Sequence, residues 1–72
     1  MDIRLYTCLV IRKHGRYLVG RILGSCDLRW SDSIYDAYRT RDREKAEALA
    51  RAVGGVMVLF NPVAGQKKTI GT

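Results

Sequence analysis

Residues 30–55 read WSDSIYDAYRTRDREKAEALARAVGG, and the fold turns on whether their second half is a basic recognition helix or the lid of a small sheet. Ala46, Leu49, Ala50 and Val53 recur at helical spacing and form a narrow apolar stripe. Away from that stripe, Arg43, Glu47 and Arg51 lie four apart, so the polar face alternates in sign and is held by i,i+4 pairs. A recognition helix carries bases without interleaved acids. This one reads as a solvated lid. Thr40 is the predicted N-cap, Asp42 and Glu44 suit the positive end of the helix dipole, and Gly54 is the predicted left-handed C-cap. Residues 32–39, DSIYDAYR, leave two readings open: an irregular loop, or an extra helical turn with Ile34, Tyr35 and Tyr38 packed inward.

Upstream, residues 3–23, IRLYTCLVIRKHGRYLVGRIL, read as a hairpin, because β-branched and aromatic residues fill two runs separated by a polar stretch with His14-Gly15 as the turn. Alternation puts Ile3, Leu5, Thr7, Leu9 and Ile11 on one face of the first strand and Arg4, Tyr6, Cys8, Val10 and Arg12 on the other. One helix covers one side of a sheet. Tyr6, Cys8 and Val10 are therefore the expected apolar contact patch, for self-association or a protein partner, unless a long connection or the tail folds over them. Gly24-Ser25 reads as a turn, and DLRWS as a short third strand with Leu28 and Trp30 inward. VMVLF, residues 56–60, reads as a buried strand ended by Asn61-Pro62, since proline cannot donate to a ladder. The expected fold is α+β: a small antiparallel sheet in the order β-β-β-α-β, with one amphipathic helix packed on one face. It spans residues 1–63, with residues 64–72 as a flexible basic tail.

A chain of 72 residues supports one domain near the size where burial is only just sufficient, so a homo-oligomer is an expected source of added stability. Hydrophobic content of 47% with 28% charged residues and no low-complexity tract is globular. No apolar stretch approaches the roughly 18 residues of a membrane span, and a cytoplasmic protein without membrane contact is the expectation. Cys8 and Cys26 do not make a disulfide framework, and reduced thiols are expected. The net charge of +6 favours polyanionic partners. It is unevenly spread: residues 1–26 set five bases against Asp2, residues 27–53 balance six bases with six acids, and Lys67 and Lys68 follow.

The element order carries a geometric expectation. If three strands run up, down and up, the helix runs down, and the hairpin tip, the helix N-terminus and the tail share one end. Arg12, Lys13, His14, Arg16, Arg39, Arg41, Lys67 and Lys68 would then surround free helix amides as an anion or nucleic-acid site. Tyr17, Tyr35 and Tyr38 offer stacking surfaces nearby. Catalysis is not expected. Cys8 and His14 stand roughly 20 Å apart on an extended strand, no cysteine or histidine spacing suits zinc, and AGQKKT lacks the first glycine and the following helix of a phosphate loop. Asp32, Asp36 and Asp42 suit turns and helix ends. No metal or cofactor is expected.

The run WSDSIYDAYRTRDREKAEALARAVGG followed by LFNPVAG, about residues 29–65, resembles small uncharacterised proteins carried by phages and mobile elements of Gram-positive bacteria. The resemblance implies an accessory role, as a small regulator, a DNA-associated factor or an inhibitor of a host or defence complex. The leading expectation is a non-enzymatic module that contacts nucleic acid or a nucleoprotein through the basic hairpin end. The alternatives are a protein-binding inhibitor or assembly factor acting through Tyr6, Cys8 and Val10, and a binder of a small anionic ligand.

Overall fold

A computed structural model describes residues 8–21 and 27–71. The elements are β1 (Cys8–Lys13), β2 (Arg16–Arg21), β3 (Leu28–Ser31), a 3-10 turn (Ile34–Asp36), α1 (Arg43–Val53), β4 (Val56–Asn61) and β5 (Gln66–Gly71). The strands form one antiparallel sheet in the order β3-β2-β1-β4-β5, with α1 packed on one face, an α+β fold. His14 and Gly15 have φ of 52° and 77°, the paired positive values of a tight two-residue hairpin turn whose twist suits the strands it joins.

The pleat sorts the core into two clusters. Leu9, Ile11, Leu18 and Met57 point to one face and bury Ala46 and Ala50 of α1, with Leu28, Trp30, Leu49 and Ile70 around them. Alanine at the two inward positions lets the helix sit close on the strands. Val10, Tyr17, Val58 and Phe60 point to the other face, where Ile34 and Ala37 close over them. The expected contact patch is therefore corrected: Val10 is wholly inaccessible, because the ambiguous 32–39 stretch is its lid. Cys8 is half-buried, its thiol donating to the Phe60 carbonyl at 3.4 Å. Tyr6 and Cys26 lie outside the described residues.

A chain that covers one face with residues 34–37 and the other with α1 must cross the sheet between them. It does so through a fork between β1 and β2. Next to the turn these strands pair at Arg12↔Tyr17 and Lys13↔Arg16. Farther along β1, Leu9 instead exchanges both backbone hydrogen bonds with Thr40, at 2.7 and 3.0 Å, while the Tyr38 amide donates to Leu18 at 2.8 Å. Thr40 is thus held in a strand-like bridge, and the helix begins later than predicted. Asp42 is the N-cap, its carboxylate accepting from the Lys45 amide at 3.2 Å, and Thr40 Oγ1 accepts from the Asp42 amide.

The crossing reverses the helix. Residues 32–42 run the length of the sheet before α1 starts, so α1 begins at the far end and ends beside the hairpin tip. Gly54 is the left-handed C-cap with φ 73°, as its position predicts. Gly55 lies so close to β1 that a Cβ there would fall 2.7 Å from the Arg12 carbonyl oxygen. The expectation that the helix N-terminus shares the hairpin end is overturned.

The C-terminal expectation is corrected as well. Residues 66–71, within the stretch read as a flexible tail, form edge strand β5 on β4. Asn61 makes the turn: its Oδ1 accepts from the Val63 and Ala64 amides, and its carbonyl accepts from Gly65. Proline at the second turn position and glycine at the left-handed one complete the hairpin signature. Among the described residues no helix is long and apolar enough to cross a membrane.

Candidate nucleic-acid interface

The tight turn at His14-Gly15 brings the last residues of β1 and the first of β2 together at one end of the sheet. Arg12 and Lys13 are half-buried, and His14, Gly15 and Arg16 are exposed. Lys13 also serves the fold, since its ammonium lies beside Gly54, where the helix presents its negative end. Arg16 pairs with Asp32 at 3.3 Å, but with side chains 64% and 86% exposed the pair contributes little and leaves the guanidinium accessible.

Two shallow depressions flank the tip. One, of ≈ 440 Å³, is lined by Arg12, Lys13, His14, Tyr17, Gly55 and Val56, among others. The second, ≈ 380 Å³, is lined by Lys13, His14, Arg16 and Trp30. Register explains the indole's place: Trp30 is opposite Leu18, and Arg16 is two residues along the same strand, so both project from the helix-bearing face. Sequence reasoning placed Trp30 inward and did not join it to the bases. Its position beside them is legible only once the β2–β3 register is known.

The remaining predicted bases are not all gathered here. Lys67 on β5 leans across the second face toward the tip, its ammonium 3.4 Å from the Tyr17 hydroxyl and 5.8 Å from the ring centre. Arg39 stands 5.7 Å over the Phe60 ring and donates to the Tyr35 carbonyl at 3.1 Å. Arg41 lies with Arg39, Cys8, Thr40 and Pro62 around a depression at the opposite end. Lys68 is exposed on β5 opposite Leu59. The single eight-residue site thus divides: Arg12, Lys13, His14 and Arg16 are together, Lys67 approaches them through Tyr17, and Arg39, Arg41 and Lys68 stand apart.

Of the tyrosines, Tyr17 is buried and Tyr38 half-buried, while Tyr35 is 54% exposed with its ring edge-on to Phe60 at 5.3 Å. A hydrogen bond with the Tyr38 side chain is the main cause that holds the Lys45 ammonium above the ordinary lysine value. Cys8 opens β1 and His14 follows its last residue, so the length of the strand separates that thiol from that imidazole. Among the described residues no group of three or more His, Cys, Asp or Glu side chains is placed to hold a metal ion. Compared with models of protein families, with curated proteins and with solved structures, the chain has no match.

Proposed function

We propose that this protein is a non-enzymatic accessory module, of the phage type its sequence resembles, acting in the cytoplasm and contacting nucleic acid or a nucleoprotein through its hairpin end. The observation that carries the reading is the grouping of Arg12, Lys13, His14 and Arg16 on one tight turn, with Asp32 as a loosely held carboxylate among them. Such a set contacts phosphates without reading bases, so binding falls steeply with salt and shows little sequence preference. The variant with Arg12, Lys13 and Arg16 all changed to Glu tests this. Loss of binding to a mixed-sequence oligonucleotide supports the reading, and unchanged binding by a folded variant overturns it.

One observation favours a protein partner as a second reading. Tyr35 and Val63, 54% and 95% exposed, are the large hydrophobics left in solvent among the described residues, and Tyr35 reaches the β4–β5 turn, its hydroxyl 3.2 Å from where a Gly65 Cβ would stand. Exposed apolar surface beside Arg39 suits a protein contact better than the now-buried Val10 does. Salt-tolerant binding lost on Tyr35→Ala would identify it. A small-anion site formed jointly by helix amides and the hairpin bases has no support, since they lie at opposite ends.

A further inference from the structure

Trp30 combines three properties that the phosphate-contact reading leaves unused. It lies on β3, the last strand on its side of the sheet. It is half-buried and packed against the core under α1, so its indole is held in place. Its remaining surface opens into the depression that Lys13, His14 and Arg16 also line. An anchored aromatic surface beside a row of cations, Arg16 on β2 and Lys13 on β1, matches an unpaired base with its neighbouring phosphates. A duplex gains nothing from it, because its bases are already stacked and its grooves present edges and not faces.

We infer that Trp30 is a stacking platform that makes the hairpin end selective for single-stranded over duplex nucleic acid. The inference rests on the phosphate-contact reading and adds to it a partner class. Arg16 and Lys13, side by side on β2 and β1, hold the phosphates next to the indole while one base lies against it. Stacking of this kind strengthens single-strand binding by roughly five-fold to a hundred-fold and is tolerant of sequence, since every base has a face to offer. The exposed Arg16–Asp32 pair does not oppose it, being too weak to withhold the guanidinium from a phosphate.

Trp30 is the chain's one tryptophan, so its fluorescence reports the site without a label. The intact protein is titrated with a short oligothymidylate, with a duplex of similar charge and with polyglutamate. The expected result is quenching by the single strand alone and a preference for it over the duplex of at least about five-fold at equal salt. Trp30→Phe keeps an apolar ring for the core and should reduce that preference, and Trp30→Leu should abolish it, with circular dichroism confirming that both are folded. Single-strand binding without a change in emission, or equal affinity for single strand and duplex, overturns stacking and leaves the phosphate reading standing. Equal quenching by polyglutamate overturns base recognition in favour of bare charge. No binding of either nucleic acid overturns both readings.

Discussion

Gly55 illustrates how one residue fixes the hairpin end. It is buried where the chain leaves α1 and enters β4, and the Arg12 carbonyl takes the space a side chain would need. Gly55→Ala should therefore push β1 and the helix terminus apart and cost about 1–3 kcal/mol, read as a lower denaturation midpoint. A variant as stable as the parent would show that these backbones are not in such close approach. Val10 gives a sharper test of its face. Sequence alternation alone makes it a surface residue for a partner, in which case Val10→Asp would spare the fold and abolish binding. In the structure it has no accessible surface and lies among Tyr17, Ile34, Val58 and Phe60. The same change then buries a carboxylate among apolar groups and should cost more than about 3 kcal/mol, unfolding much of the protein. Far-UV circular dichroism distinguishes the two outcomes before any binding is measured.

At the scale of elements, the hairpin, the third strand, the helix and β4 were all legible, because each is announced by its own period and its own punctuation. The 3.6-residue stripe with Gly54 marks α1, and period-two alternation around His14-Gly15 marks β1 and β2. What escaped was held by contacts between elements. Residues 32–42 have no period of their own: Ile34 and Ala37 answer to the second sheet face, and Thr40 answers to Leu9. β5 was hidden by its exposure. Lys67, Lys68 and Thr69 read as a soluble tail, and only Ile70 reaches the core edge. Charged residues on an outer strand are themselves a means of discouraging edge-to-edge aggregation. Asn61 should hold this strand in place. Asn61→Ala removes the acceptor of two turn amides, 3.0 and 3.2 Å away, at a cost of roughly 1–2 kcal/mol. Hydrogen exchange should then quicken first in β5, with β1 protected longest. Uniform quickening across the sheet would mean that β5 does not open separately.

For the whole molecule the decisive feature is the direction of α1, since it determines which charges act together. A sequence can gather bases by type, but the assignment of Arg39 and Arg41 to the hairpin end depended on a helix running away from the tip. The fork crossing reverses that helix and leaves Arg39 and Arg41 at the other end, about the length of a six-residue strand away, roughly 17–20 Å. The hairpin bases were legible because four of them sit within five consecutive residues, where no long-range topology can separate them. This separation yields a paired prediction. Changing Arg12, Lys13 and Arg16 to Glu should abolish nucleic-acid binding at moderate salt, whereas Arg39→Glu with Arg41→Glu should leave most of it. In the parent, the logarithm of the binding constant should fall with log salt at a slope of about −2 to −3, and each tip base lost should reduce its magnitude by about one. Equal damage from both sets would mean that a ligand spans the molecule end to end or that only net charge matters. A short oligonucleotide that cannot bridge the two ends separates those cases: it stays sensitive to both sets if net charge governs binding, and to the hairpin set alone if the contact is made there.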